Sequence, residues 1–231
     1  MARWRPRHWR RWLIGGIVVV AAIVVGGPFL YFRVIEGPAP ARLHLPRARS
    51  HTRPGAAVPV DGRWTVAPGS QAGYRVNEVL FGQSNTAVGR TQAVTGLMTI
   101  AASQVTAASI TVDLTKVTSD QSRRDDQFQG RIMHTSSYPT AVFSLTAPIP
   151  LGTIPPVGAT ASERAAGTLQ LRGTTHPVVV ALAARRASST VEVSGSIPVT
   201  FSDWSIPNPS FGPASTEDHG LIEFLVTFSK A

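Results

Sequence analysis

The sequence predicts an all-β domain of antiparallel strands, a sandwich or a closed barrel, preceded by a single transmembrane helix. From Asp61 onwards, short segments with apolar residues at every second position alternate with turn residues, which is typical of strands. Within this region only residues 122–133 have the apolar spacing of a helix. Near the N-terminus, the twenty residues 13–32 contain no charged side chain, which is typical of a membrane span.

Residues 13–32 are long enough to cross a bilayer, because a helix of that length spans roughly 30 Å. Five arginines precede this run, and such a dense basic flank stays in the cytoplasm. We therefore expect residues 1–12 to form a basic cytoplasmic tail. The domain is then expected on the extracytoplasmic side of the cell membrane, in a single-pass protein. The alternative is a cleaved signal peptide ending near Ala39-Pro40-Ala41, although the apolar run exceeds a usual signal core.

Residues 33–60 form a linker that is rich in proline and arginine. Its prolines, at positions 38, 40, 46, 54 and 59, and its weak apolar periodicity predict an extended tether, partly of polyproline type. The arginines of this tether are expected to be solvated, with anionic lipid headgroups as the alternative contact.

The folded domain is predicted to cover residues 61–231 and to contain nine strands. The last strand has the clearest pattern, because Ile222, Phe224 and Val226 share one face and Glu223 and Thr227 the other. Loops are predicted at residues 148–158 and 207–218, and a turn at residues 173–177. The predicted strands are residues 63–66, 72–78, 87–100, 107–114, 141–146, 165–172, 178–184, 190–199 and 221–228.

The positive charge of the chain lies in its N-terminal quarter. The sequence has 22 Lys and Arg against 13 Asp and Glu, which gives a net charge of +9. Residues 1–60 contain ten arginines and one glutamate, which accounts for the whole excess, so the 12 basic and 12 acidic side chains of the domain cancel. A domain that binds nucleic acid needs clustered basic side chains to neutralise phosphates. We therefore exclude nucleic acid as a partner.

The sequence contains no motif of a catalytic, metal or cofactor site. The chain has no cysteine, which excludes disulfides, a thiol nucleophile and metal sites with cysteine ligands. Glycine-rich phosphate loops are absent, and Ser84 lacks the second glycine of a nucleophile elbow. The histidines of the domain, His134, His176 and His219, are about forty residues apart and so lack the spacing of metal ligands. We expect no enzyme activity, no metal and no cofactor.

The interior of the predicted domain is either a ligand cavity or a filled core. The domain contains eleven aromatic residues among many small ones such as alanine and threonine. A barrel of about eight strands is just wide enough for side chains to fill it or for one small ligand. Small inward residues favour an unfilled interior, whereas the aromatic rings would serve equally well as ordinary core. The residues alone leave both alternatives open.

Several motifs of the domain resemble those of the YceI-like family of exported bacterial proteins. The most specific is residues 167–177, GTLQLRGTTHP, which is similar to the family's G-x-L-x-[IL]-x-G-x-[ST]-[KR]-P hairpin. Other segments resemble the family's opening strand, its V-x-G turn, its R-D helix start and its Y-P element: residues 64–70 (WTVAPGS), 94–96 (VTG), 124–125 (RD) and 138–143 (YPTAVF). The resemblance covers essentially the whole domain. It implies a lipocalin-like, up-and-down antiparallel barrel of about eight strands with one short helix.

The resemblance also implies a long apolar cavity that holds a polyisoprenoid or similar long-chain lipid, without catalysis. We expect a membrane-anchored lipid-binding protein that serves in storage, transport or sensing. The alternative is a structural or adhesion module with a filled barrel core, and a secreted hydrolase is more distant. The sequence leaves the oligomeric state open, a homodimer included.

Two sets of residues are expected to contact the lipid. Arg124, Asp125 and His176 are expected at its head group or at the cavity mouth. The lining residues are expected on inward faces of the strands and of the helix: Tyr74, Val76, Phe128, Ile132, Phe143, Leu145, Val180, Leu182, Phe224 and Val226.

Overall fold

The computed structural model describes residues 12–20, 38–46, 58–80, 82–212 and 214–231, and the chain divides into two units. The first unit, Met1–Ala39, contains a helix over residues 12–20. Within the described ranges, no helix is both long enough and apolar enough to cross a membrane. The rest of the predicted span, residues 21–32, lies outside the described residues, so the span stays a prediction.

The second unit, Pro40–Ala231, contains an antiparallel sheet of twelve strands. Its strands are rich in valine, threonine and alanine, as the alternating apolar pattern predicts. The strands are β1 (Gly62–Val66), β2 (Gln71–Leu80), β3 (Gln83–Thr91), β4 (Val94–Ala101), β5 (Gln104–Asp113), β6 (Thr140–Leu145), β7 (Ile149–Pro150), β8 (Thr160–Leu171), β9 (Thr174–Arg186), β10 (Thr190–Thr200), β11 (Ala214–Thr216) and β12 (His219–Lys230).

Eight of these strands close a barrel in the order β1-β4-β5-β6-β8-β9-β10-β12, because β12 also pairs with β1. The hairpin of β2 and β3 extends this ring. Strand β12 pairs with β1 over residues 228–230 and with β2 over residues 221–225, so β1 and β2 follow one another along it. The structure thus confirms the predicted closed antiparallel barrel of eight strands.

The two ends of the barrel are covered by different segments. At the end that we call the helix end, the connection from β5 to β6 contains an α-helix, Ser122–Gln127, and a π-helical turn, Phe128–Ile132. This confirms the predicted helix, which buries Phe128 and Met133 in the core. At the opposite end, which we call the loop end, residues 146–159 connect β6 to β8.

The single strand predicted over residues 87–100 is wrong, because the structure has two strands there, β3 and β4. The chain bends between them. Thr91 Oγ1 accepts a hydrogen bond from the Ala93 amide at 3.0 Å, and the Gln92 carbonyl accepts one from the Val94 amide at 2.8 Å. These local bonds replace the strand ladder at the bend. The predicted loops also contain β7 and β11, which are too short to show alternation.

Residues 40–46 lie along the outer face of the barrel, and we call this segment the strap. Three arginines of the barrel donate to its carbonyl oxygens: Arg75 to Pro40 at 2.6 Å, Arg90 to Ala41 and Arg185 to Pro46. The strap therefore runs from β3 towards β9. The composition of this segment predicts a solvated tether. In the structure, its carbonyl groups lack a strand partner and instead accept hydrogen bonds from the barrel's arginines.

A buried ion-pair cluster lies between the strap and the barrel wall. Glu223 on β12 is 3 % exposed, and its Oε1 accepts a hydrogen bond from Arg75 Nε at 2.8 Å. Two further cations lie close to this carboxylate: Arg90 Nη2 is 3.7 Å from Oε2, and Arg42 Nε is 3.9 Å from Oε1. A carboxylate withdrawn from water needs paired cations to be stable. The cluster thus links the strap to β2, β3 and β12.

Candidate functional site

The barrel encloses an apolar cavity of about 210 Å³ that extends from the loop end as far as Val112 and Ala141, near the helix ends of β5 and β6. Its walls are inward-facing side chains of the barrel strands. Six of the ten residues expected from the sequence to line a ligand border it: Phe143, Leu145, Val180, Leu182, Phe224 and Val226. Their contact with a ligand stays a prediction.

Sequence reasoning missed much of the remaining wall. Alternating apolar residues on β5 provided a usable signal, because Ala108, Ile110 and Val112 share one face of that strand. Other residues of the cavity wall lie on strands whose interior faces are largely alanine and valine. The missed apolar residues on the strands are Ala72, Met98, Ile100, Val105, Ala108, Ile110, Val112, Ala141, Ala161, Ala165, Leu169, Ala184, Val191, Val193, Ile197, Ile222 and Phe228.

Two of the three phenylalanine rings that line the cavity lie against its wall, which keeps the interior open. Phe143 on β6 covers Gly167 on β8, where an added Cβ would come within 2.5 Å of the ring. Phe224 on β12 covers Gly195 on β10 in the same way, at 2.7 Å. Each ring occupies the space that a side chain on the neighbouring strand would fill. The two glycines therefore keep both rings away from the barrel axis.

The proline-rich loop of residues 146–159 covers the loop end of the cavity. Five of its apolar residues line the cavity: Ile149, Leu151, Ile154, Pro155 and Ala159. The loop is held by β7, which pairs with β5, and by the Leu151 amide, which donates to the Ser103 carbonyl at 2.9 Å. Its composition predicts only a loop, and the apolar residues between its prolines are the signal that could have revealed this contact.

Three charged side chains border the otherwise apolar cavity: Glu163 on β8 and Arg185 and Arg186 on β9. Arg185 Nε donates to Glu192 Oε2 at 3.1 Å, and Arg186 Nη2 donates to the Val58 carbonyl at 2.7 Å. No serine, threonine, tyrosine or histidine is among the described residues of the lining, so no nucleophile and base face each other there. In the same described ranges, no three acidic or histidine side chains are placed to hold a metal ion.

The helix end of the barrel is filled, and the other four residues expected to line a ligand lie there, outside the cavity. Tyr74 and Phe128 stack with ring centroids 5.0 Å apart, while Val76 is buried and Ile132 packs against the core. The helix brings Phe128 into the interior and so occupies the space in which a ligand was expected. Burial raises the pKa of the Tyr74 hydroxyl, and nearby Arg124 opposes that shift.

Arg124 and Asp125 hold the helix in place and are not part of the cavity lining. Arg124 pairs with Asp120, and its Nη2 lies 3.5 Å from Glu78 Oε1 on β2. Asp125 Oδ1 accepts hydrogen bonds from the amide and the hydroxyl of Ser119, at 2.8 Å and 2.6 Å. Both side chains therefore connect the start of the helix to neighbouring segments at the helix end.

His176 also lies outside the cavity lining, on β9 and not in the predicted turn. The turn is shorter than predicted, because Arg172 and Gly173 form it with positive φ angles of 49° and 78°. His176 Nε2 donates to the Asp203 carbonyl at 2.7 Å. The imidazole also packs edge-on against the Trp204 ring, with ring centroids 5.0 Å apart. These contacts hold the imidazole at the helix end.

Solved structures of two other proteins are similar to this fold. A polyisoprenoid binding domain from Saccharophagus degradans implicated in plant cell wall breakdown is 15 % identical, with a TM-score of 0.59, and the match covers 73 % of this chain and 98 % of that one. BcnA from Burkholderia cenocepacia is 18 % identical, with a TM-score of 0.51 and coverage of 67 % and 95 %. At these identities the similarity establishes the fold alone. No curated protein matches the chain.

The sequence profile of the YceI-like domain matches residues 64–228. This match runs from β1 to β12 and so includes all eight strands that close the barrel. It also covers more than half of the chain. The chain therefore belongs to the YceI-like family.

Proposed function

We propose that the barrel binds one apolar lipid chain, an isoprenoid or a similar long-chain lipid, in its apolar cavity. The observation that carries this proposal is a hollow, apolar interior next to a filled helix end. Burial of a lipid chain is favourable by about 25 cal/mol per Å² of apolar surface. Membership of the YceI-like family and the fold shared with a polyisoprenoid binding domain support the same ligand class.

The volume of the cavity limits how much of a lipid it holds. A cavity of about 150 Å³ holds a molecule of the size of benzene, and sites for drug-sized ligands usually exceed about 300 Å³. At about 210 Å³, the cavity suits a short chain or the end segment of a longer one. Because the helix end is filled, the chain enters from the loop end and its polar group stays near that end.

The proposed role is binding and not catalysis. The described lining offers apolar contacts and three charged side chains, without a nucleophile and base in contact. The alternative of a structural or adhesion module with a filled core agrees with the packed helix end but leaves the cavity unexplained. Binding of lipid by a store, carrier or sensor accounts for the cavity.

Lipid extraction tests the proposal. Full-length wild-type protein, isolated in native membrane discs, should carry a long-chain lipid that mass spectrometry detects after organic extraction. Ala184→Phe should lose that species, because Ala184 borders the cavity and the added ring would fill it. Ala181→Phe, on the outer face of the same strand, should retain it. Identical lipid profiles in wild type and Ala184→Phe would contradict the proposal.

The proposal includes an anchor formed by residues 13–32 and a barrel on the extracytoplasmic side of the cell membrane. The apolar run and the five arginines before it support this orientation. A tethered barrel can take up lipid from the adjacent bilayer.

Trypsin added to intact spheroplasts tests this orientation. It should cleave after arginines between positions 33 and 49 and release a fragment that carries a C-terminal tag. A cytoplasmic protein in the same sample should stay intact. Protection of the tagged chain until the cells are lysed would contradict the orientation.

A further inference from the structure

We propose that Phe128 forms the floor of the cavity, at its helix end, and that this ring limits the bound part of a lipid chain to about eight carbon atoms. This inference depends on the proposed function, because it sets the length of chain that the same cavity holds. It assigns as ligands short linear chains, or long chains that insert only their terminal segment.

The cavity ends before the interior of the barrel does. On β8, Leu169 lines the cavity, whereas the next inward residue, Leu171, is buried outside the lining. The same change occurs at the end of β5, where Val112 lines the cavity and Leu114, just beyond the strand, is buried outside it. Packed side chains therefore close the interior at the helix end.

Tyr74 on β2 adjoins the cavity at this closed end. Ala72, two residues before it on the same face, lines the cavity, and so does Ile222, its register partner on β12. The Tyr74 ring covers Gly89 on β3, where an added Cβ would come within 2.3 Å of the ring. Tyr74 therefore lies against the wall of the barrel.

Phe128 extends further towards the barrel axis than Tyr74 does. The two rings are nearly parallel, at 15°, with centroids 5.0 Å apart. Because strand β3 lies behind Tyr74, Phe128 stacks on the face of Tyr74 that is turned to the interior. Phe128 is the buried residue that the helix contributes next to the cavity, and the contacts of Arg124 and Asp125 hold this helix in place. The ring is thus a fixed stop.

The volume of the cavity gives the length of chain above this stop. A cavity of about 150 Å³ holds benzene, which corresponds to about 25 Å³ for each carbon atom. On that scale, a cavity of about 210 Å³ holds about eight carbons. Replacing Phe128 with alanine removes the ring and frees space for up to about six more, less whatever the surrounding side chains fill by relaxing.

A series of linear alcohols from hexanol to hexadecanol tests this limit. Their binding to the full-length protein in lipid nanodiscs is measured by displacement of a dansyl-labelled alkyl chain, corrected for the affinity of each variant for the label. Partitioning of each alcohol into the disc is the same for every variant, so the affinity relative to wild type isolates the barrel. Phe128→Ala should bind octanol about as tightly as wild type and dodecanol about tenfold or more tightly, because each further buried methylene is worth about fourfold.

Two variants show whether the position of the floor is the cause. Phe211→Ala is the matched control, because it removes a ring that is 46 % exposed and lies over Arg123. It should leave the relative affinity unchanged at every chain length. Ala141→Leu adds bulk at a residue that lines the cavity near its helix end, so it raises the floor. It should weaken octanol binding by about tenfold or more and hexanol binding much less.

The outcomes separate this inference from the proposed function. If octanol binds wild type and a folded Phe128→Ala has the same relative affinity for every alcohol, the length limit is overturned while chain binding stands. If Phe128→Ala does not fold, Phe128→Leu and Ala141→Leu decide the matter, and a relative affinity independent of chain length in both overturns the limit. If no alcohol binds wild type, or if Ala184→Phe does not weaken binding, both proposals are overturned.

Discussion

Replacing Glu223 with alanine should lower the free energy of unfolding by about 3–5 kcal/mol. The change removes the carboxylate that Arg75 contacts at 2.8 Å, and it leaves a guanidinium of 10 % side-chain exposure without its anion. Chemical denaturation followed by tryptophan fluorescence measures the effect, because Trp64 and Trp204 are buried in the barrel core.

Two control variants show whether the buried charge is the cause. Glu217→Ala removes an exposed carboxylate at the start of β12 and should leave the denaturation midpoint close to that of wild type. The double variant Arg75→Met, Glu223→Leu should be more stable than Glu223→Ala, since neither charge is then left buried alone. Equal destabilisation by Glu217→Ala and Glu223→Ala would contradict the assignment.

Phe224→Asp should weaken the binding of dodecanol by about a hundredfold or more. It places an unpaired charge in an apolar cavity, and such a charge costs several kcal/mol when a chain excludes water from it. Displacement of a dansyl-labelled alkyl chain from the full-length protein in lipid nanodiscs measures the loss. Because the cavity gives the new carboxylate room and water in the unbound protein, the barrel should remain folded. The same change in a filled core would unfold the domain, so the denaturation midpoint must be measured alongside.

The controls for Phe224→Asp separate the effect of the added charge on binding from the effects of side-chain size and position. Phe224→Leu keeps an apolar side chain and should lose much less affinity. Val179→Asp introduces the same charge on the outer face of β9, at a residue that is 63 % exposed, and should leave binding unchanged. Wild-type affinity in Phe224→Asp would show that the ring does not border the bound chain.

Alternation along the strands predicts which side chains face the barrel interior. Val180 is 1 % exposed and its neighbour Val179 is exposed, as expected for a strand with one solvated face. The single helix could also be predicted, because apolar spacing is a local signal, whereas the periodicity predicts nine strands and the count of about eight in the barrel was implied by the family resemblance. The bend between β3 and β4 could not be predicted, since it depends on a hydrogen bond that the Thr91 side chain accepts.

Position along the barrel axis could not be predicted from the sequence. Tyr74 and Phe224 are both aromatic residues on strands, yet one stacks on the helix and the other borders the cavity. The difference depends on where Phe128 packs, and Phe128 is far from both residues in the chain. Local periodicity contains no information about such a contact, which explains why four of the ten expected lining residues lie at the filled end.

Glu163 was missed for a different reason. The strand predicted over residues 165–172 begins too late, because the observed β8 starts at Thr160. Residues 160–164, TASER, contain no large apolar side chain, so they lack the alternation that indicates a strand. A carboxylate on an inward face is also the opposite of what burial predicts. The sequence therefore provided no reason to expect Glu163 at the cavity.

Because Phe143 and Phe224 lie over glycines, movement of their rings can change the width of the cavity in one direction only. Both rings already lie against the backbone of a neighbouring strand, at Gly167 and Gly195. Rotation of either ring can therefore only move it towards the barrel axis and reduce the bore. With the rings in these positions the bore is at its widest, and adaptation to a thin chain proceeds by contraction around it. Such motion makes no room for bulky or polycyclic lipids, so the cavity favours slender, flexible lipid chains.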